Sequence, residues 1–422
     1  MPRNIVDIDL RAETGAAPQE TFTDPALVGT AAESPPDAEF GEVNSYSSAS
    51  DVADDYGEDS DVAVASEELA ARGVERWRVV QFEETEHTET LGDGETLENT
   101  PVLGNADVTS EDGTVEASID DPPEVGEETA DIVYNADTGA IATESAEVTI
   151  EYSTADWDFD ELPDDVDLLV VADRRMGREH IGVLNAAQSW ASANDVGIVA
   201  AGINVSAQPD LATAKEIASD VAGYVPSGDL LMLVDNSSQE IAASLLGDLA
   251  TSQPWYNPFW AEIPAGEPIR EGVGDPGTEG TFEGGNSEGD GPVNAIISVD
   301  GVNRLSNSLT TAGAASDLAF FDIARTKVFT AARVTSALES LQGSQNIPFT
   351  SDGRTQVRSA IVGVLAPITG GPRDPLAETE IIVPEVDDDV VDRENRVWAG
   401  IEIEARLSGS AHQFGVELTV TA

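Results

Sequence analysis

The chain has 422 residues, of which 81 are acidic and 20 basic, for a formal net charge of −61. That charge argues against a general nucleic-acid-binding surface, and the absence of cysteine excludes disulfides, thiolate metal sites and cysteine nucleophiles. No apolar run approaches the roughly 20 residues of a membrane span, and the opening MPRNIVDIDL lacks the apolar core of a signal peptide, so the expectation is a soluble chain made in the cytosol, large enough for two or more domains.

Residues 1–20 read as an extended arm, with Ile5, Val6, Ile8 and Leu10 as a short apolar strand. Residues 21–82 read as α/β. ALVGTA at 26–31 is a strand, 42–46 a short strand, and 50–56 a short helix stopped by Gly57. An amphipathic helix covers 59–72, with Gly73 after it, and RWRVVQF at 76–82 is a strand. Composition shifts at 83–155 to Glu, Asp, Thr and Gly with short alternating strands at 114–119 and 147–152. This predicts an inserted, outward-facing acidic all-β domain.

Residues 156–264 return to α/β. The apolar runs DLLVVA at 167–172 and LLMLV at 230–234 are buried strands, and 196–201 is another. Helices are predicted at 181–193, 212–222 and 239–250. Strands alternating with helices predict a parallel or mixed sheet covered on both faces. Residues 265–292 are a Gly- and acid-rich surface loop, and the core resumes at 293–299. Residues 293–411 complete the core with helices at 317–342 and 354–365, the second capped by Ser351 or Asp352 and ended by Pro367. An acidic strand follows, then a hairpin of 399–407 and 414–420. The alternation of Ile401, Ile403, Ala405 and Leu407, then Phe414, Val416, Leu418 and Val420, marks one buried face. Residues 412–422 form a terminal arm strand that is free to pair with its own sheet or with a neighbour's.

Catalytic patterns are largely missing. Asp173 and Asp235 follow buried strands, where open sheets place ligands and catalytic carboxylates, yet Asp there is equally a helix cap or turn former. Asp235-Asn236-Ser237-Ser238 faintly resembles a metal-dependent adhesion motif but has Gln239 where a second Ser is needed. No P-loop, dinucleotide fingerprint or nucleophile elbow occurs. His87, His180 and His412 lie too far apart in sequence for metal-ligand spacing. Asp387-Asp388-Asp389 reads as a solvated turn rather than a cation site. No catalytic, cofactor-binding or metal residue is therefore assigned, and the expectation is a non-enzyme without cofactors.

The charge is spread along the chain, and the only lysines are Lys215 and Lys327. A hydrophobic content of 40% with recurring periodic segments argues against disorder, and the spread of charge against a nucleic-acid mimic. Such acidic, lysine-poor composition resembles that of halophile proteins, whose self-repulsion is screened at molar salt.

The ordered elements resemble the contractile tail sheath proteins of myovirus-type phages and related injection machines. The matching stretches are TDPALVGTA at 23–31, DDYG at 54–57, RGVERWRVVQF at 72–82 and TGAIATESAEVTIEYSTADWDF at 138–159. Near the C-terminus they are AFFDIARTKVFTAARVTSALESLQG, DGRTQVRSAIVGVL, TEIIVPEV, RVWAGIEIEARLSG and FGVELTVTA. The resemblance is carried by the order of elements rather than by one diagnostic motif. It implies an α/β (α+β) sheath core, a mixed sheet flanked by helices, with an inserted all-β domain and extended N- and C-terminal arms.

The resemblance further implies a structural subunit that polymerises as stacked, hexameric rings around a tail tube and contracts to drive the tube through a host envelope. Its implied partners are other copies, the tube protein, and baseplate and terminator proteins, with no nucleic acid and no membrane insertion. Its place is a virion tail assembled in the host cytoplasm, or a cell-derived injection device. Inter-subunit strand exchange is assigned to Ile5, Val6, Ile8, Leu10, Phe414, Val416, Leu418 and Val420 as donors and to the strand with Ile401 and Ile403 as acceptor. A tube contact is assigned to Arg325, Lys327 and Arg333 on one helix. The alternatives are a halophilic surface or adhesion protein, for which a signal peptide is expected, and an α/β enzyme using Asp173 or Asp235.

Overall fold

The structure is a computed structural model. It describes residues 5–7, 25–98, 102–108, 115–118, 132–135, 140–143, 148–155, 157–163, 166–172, 181–194, 196–201, 222–223, 225–234, 239–259, 261–264, 294–299, 301–312, 316, 318–344, 347–371, 373–386, 388, 391–392, 397–398 and 400–408. The chain divides into two compact units. The larger is Thr23–Phe321; the smaller joins Met1–Phe22 to Asp322–Ala422.

The elements in chain order begin with β1 (Ile5–Asp7), β2 (Pro25–Ala31), β3 (Asn44–Tyr46), α1 (Ala49–Tyr56), α2 (Asp61–Ala71) and β4 (Trp77–Leu91). Then come β5 (Val102–Val108), β6 (Val115–Ser118), β7 (Ile132–Asn135), β8 (Ile141–Thr143), β9 (Val148–Ala155) and β10 (Leu168–Val171). They continue with α3 (Ile181–Asn194), β11 (Gly197–Ala201), β12 (Leu230–Val234), α4 (Gln239–Thr251), β13 (Asn294–Val299) and β14 (Val302–Leu305). The last are α5 (Phe321–Ser344), α6 (Ser351–Leu365), β15 (Leu376–Ile382), β16 (Val391–Asp392), β17 (Val397–Trp398) and β18 (Glu402–Leu407).

The larger unit is built on a mixed sheet in the order β14-β13-β12-β11-β10-β2-β4-β9-β5, with β3 also on β4. Its centre, from β13 to β4, is parallel, and β14, β9, β5 and β3 pair antiparallel. Residues of β10 alternate between two cores. Leu169 and Val171 join Val183, Leu184 and Ala187 of α3 on one face. Leu168 and Val170 join Val62 and Leu69 of α2 and Leu245 and Leu249 of α4 on the other. Burial on both faces is why these strands read as unbroken apolar runs.

Two further devices fix the larger unit. Arg72, the C-cap of α2, donates from Nη1 to Asp248 of α4 at 2.9 and 3.1 Å, and from Nη2 to Ser244 Oγ at 2.6 Å and the Glu262 carbonyl at 2.9 Å. Fully buried Asn294 donates to the carbonyls of Met232 and Leu309 and accepts from Leu309 N–H, fixing the start of β13.

Several expected boundaries move. The strand expected at 76–82 runs on to Leu91: Trp77–Phe82 are buried, after which Glu84–Leu91, exposed or half-buried, pair with β9, whose Val148, Ile150 and Tyr152 are buried. The helix expected from 317 begins at Phe321. The cap of α6 is Thr350, whose Oγ1 accepts from Gly353 N–H at 3.3 Å, rather than Ser351 or Asp352. β6, β7 and β8 form a separate three-stranded sheet. The expected helix at 212–222 and the loop at 265–292 lie almost wholly or wholly outside the described residues.

Candidate assembly interface

The smaller unit holds the residues assigned to strand exchange. Its sheet has the order β1-β18-β15. β15 and β18 are antiparallel, with Thr379 opposite Ala405, Glu380 opposite Glu404 and Ile381 opposite Ile403. A register shift between Leu376 and Glu378 inserts Ala377 as an extra residue. β1 adds antiparallel to the other edge of β18, with Ile5 opposite Arg406, Val6 opposite Ala405 and Asp7 opposite Glu404. The acceptor assigned from sequence is thus a strand with both edges occupied, and here its N-terminal partner comes from the same chain.

The pleat separates two faces. Ile403, Ala405, Ile381 and Leu376 are buried. Glu402, Glu404, Arg406, Glu378 and Glu380 are exposed, with Arg406 bridging Glu378 at 3.3 Å. Ile382 continues that outer row and is 42% exposed. Ile401 is half-buried and precedes β18.

Helix α6 packs along β15 through an apolar stripe of Val357, Ile361 and Leu365. Arg354 pins it there, donating from Nε to the Val383 carbonyl at 2.7 Å and from Nη1 to Glu385 at 2.6 Å. A Cβ on Gly353 would collide with the Pro348 carbonyl, so the first turn of α6 requires glycine. Phe349 and Trp398 stack with centroids 5.4 Å apart.

The three basic residues assigned to a tube contact share α5 but not an environment. Arg325 is only 4% exposed, Lys327 is half-buried, and half-buried Arg333 lies over the Phe329 ring at 5.3 Å. Arg325 therefore presents no surface in the single chain, which leaves Lys327 and Arg333. Near the start of the same helix Asp322 is buried and its Oδ1 has no hydrogen-bond partner. Burial pushes its carboxyl up to about 6, against the smaller opposing effect of its own and the Ile323 backbone N–H.

Ile8, Leu10, Phe414, Val416, Leu418, Val420, Asp173, Asp235, His180 and His412 lie outside the described residues. His87 stacks on Tyr152 and bonds Thr154 Oγ1 at 2.8 Å, and Tyr152 donates to Glu89. No group of His, Asp or Glu able to hold a metal ion occurs among the described residues, and none of their helices is long and apolar enough to cross a membrane. Sequence reasoning missed the acidic outer face of the small sheet, although the alternation of AETEII at 377–382 and EIEAR at 402–406 contains it.

No protein-family model and no curated protein matches this sequence. Among solved structures, the chain is similar to one from the anti-feeding prophage (AFP) baseplate, with a TM-score of 0.58 and 13% identity over 98% of both chains. It is also similar to the AFP helical sheath in its contracted state, with a TM-score of 0.57 and 14% identity over 98% of this chain and 97% of that one. A third likeness is to the sheath complex of PVC, an extracellular contractile injection system, in its contracted state: TM-score 0.56 and 11% identity over 97% and 96%. The chain has the fold of these chains of contractile assemblies along nearly its whole length.

Proposed function

We propose that the chain is a structural subunit of a contractile sheath. It polymerises around a tube and shortens to drive that tube through a target envelope. The observation that carries this reading is the likeness to sheath chains along 98% of the molecule. In the proposal the arms extend the β15–β18 sheet across subunits. The slot that β1 fills on β18 is filled by a neighbour's N-terminal strand, and residues 414–420 pair with the sheet of another copy.

A strand as short as β1 forms few backbone hydrogen bonds, each contributing about 0.5–1.5 kcal/mol net. One arm alone is a weak tether. Many arms in one polymer make dissociation require simultaneous release, so subunits rotate and slide without leaving. The apolar alternation of Ile403 and Ala405 sets the register, because a one-residue slip would expose that face. Contraction is then a transition between two packings of rigid subunits, with no nucleotide hydrolysed. Sixfold stacked rings, a tube contact through Lys327 and Arg333, baseplate and terminator partners, a virion tail that ejects a genome, and a halophilic source are the finer parts of this proposal.

The test is electron microscopy of the purified chain in molar salt. Tubes or polysheaths of one diameter are expected. Deleting residues 412–422 should abolish them while leaving a folded monomer. A full-length chain that stays monomeric at all salt and protein concentrations would overturn the reading.

A further inference from the structure

A basic side chain without a carboxylate partner is unexpected where 81 acids face 20 bases. Yet neither Arg358 nor Arg373, both exposed, has an ion pair or hydrogen bond among the described residues. Both lie in the segment 353–373, which holds Arg354, Arg358 and Arg373 and not one Asp or Glu. The outward stripe of α6 is Thr355, Arg358, Ser359, Val362 and Gly363, spaced to share one helix face. Val362 is 40% exposed, one of two large hydrophobic side chains so exposed among the described residues. A strongly acidic chain that leaves this helix face a single acid, Asp352 in the first turn, and sets an exposed apolar side chain and a guanidinium with no partner among the described residues beyond it has shaped a surface that meets something negative.

The same unit carries the complement. α6 packs along β15, and the outer face of the sheet presents Glu378, Glu380, Glu402 and Glu404 against, among the described residues of β15 and β18, a single cation, Arg406, already engaged by Glu378. Helix layer and sheet layer thus expose an uncharged-to-basic surface and an acidic one. Two different patches on one subunit make a heterologous contact, which repeats head to tail into rings or helices.

We infer that the outer face of α6 docks on the acidic outer face of the β15–β18 sheet of a second copy of this chain. The inference rests on the assembly reading above and names a contact separate from strand exchange. Arg358 meets the carboxylates of Glu380 and Glu404, and Val362 is covered by the joined surfaces.

The test compares the full chain, Arg358→Glu, Glu380→Arg/Glu404→Arg, and all three substitutions combined, by sedimentation and microscopy in molar KCl. Arg358→Glu should raise the concentration needed for polymer at least about tenfold, and the combined variant should recover most of that loss. Thermal midpoints of the monomers check that each variant folds, and Arg358→Glu, on an exposed helix face, should match the parent. Arg358→Glu that polymerises like the parent, or a combined variant no better than Arg358→Glu, overturns this contact alone. If Arg358→Glu forms normal polymers but loses binding of purified tube protein, the face belongs to the tube and the copy-to-copy contact is overturned. A parent chain that never polymerises overturns the assembly reading and this contact with it.

Discussion

Glu404 of β18 stands directly opposite Glu380 of β15, so two carboxylates share one register position on the exposed face of the small sheet. Asp7 occupies the same register position on β1. Like charges directly opposite each other weaken a strand pair by about 0.2–1 kcal/mol. Glu404→Gln should therefore raise the thermal midpoint in dilute buffer. The gain should vanish in molar KCl, where screening falls to about 3 Å. A salt-independent gain would mean that repulsion across the register is not the cause.

The pairing of Val6 with Ala405 offers a direct reading of where the N-terminal strand sits. The chain has no cysteine, so a disulfide in Val6→Cys/Ala405→Cys reports that contact without background. Monomer should cross-link within one chain, and polymer should yield a ladder of linked chains on denaturing gels. A polymer in which every cross-link stays inside one chain would remove strand exchange at the N-terminus.

Arg72 and Asp248 clamp α2 to α4, with side chains only 17% and 22% exposed. Burial raises the Asp248 carboxyl, and Arg72 beside it pulls the other way. Removing the guanidinium strands that carboxylate together with Ser244 and the Glu262 carbonyl. Arg72→Ala should cost about 3 kcal/mol in urea unfolding. Because the pair is largely buried, the loss should persist at molar salt, unlike that of a surface pair.

Leu168–Val171 and Leu230–Val234 are legible because strands buried on both faces leave no polar interruption. The far half of β4 is not, because after Phe82 the buried side chains of the ribbon belong to β9, and β4's own pattern of Glu and Thr reads as surface. Thr350 does not stand out as the α6 cap in the sequence because Ser351 and Asp352 beside it are equally good capping residues. Which end of the chain fills the edge of β18 could not be read from the apolar residues of a three-residue strand. Arg325 reads as surface in the sequence because a cation on a helix gives no sign of its own burial.

Asp322 sets a pH dependence with a definite sign. Its carboxyl is raised from 3.8 to about 6 by burial, so the folded chain holds a proton that the unfolded chain has released between those values. This contribution to stability is full below about 3.8 and is lost as pH rises through about 6. Asp322→Asn should therefore stabilise the chain at pH 7.5 by about 2 kcal/mol and by much less near pH 4. A midpoint difference that does not change with pH would show that the carboxyl ionises freely in the fold.

The smaller unit is assembled from both ends of the chain, and that has a kinetic cost. Ile5 leaves the ribosome about 20–80 s before its register partner Arg406 exists, at ordinary elongation rates. Closing a loop of almost the full chain length is also entropically unfavourable and slow. On a polysome the first residues of a nascent chain therefore wait beside finished copies whose β18 is already folded. If strands are exchanged as proposed, synthesis itself favours handing that strand to an older sister molecule before its own sheet is complete.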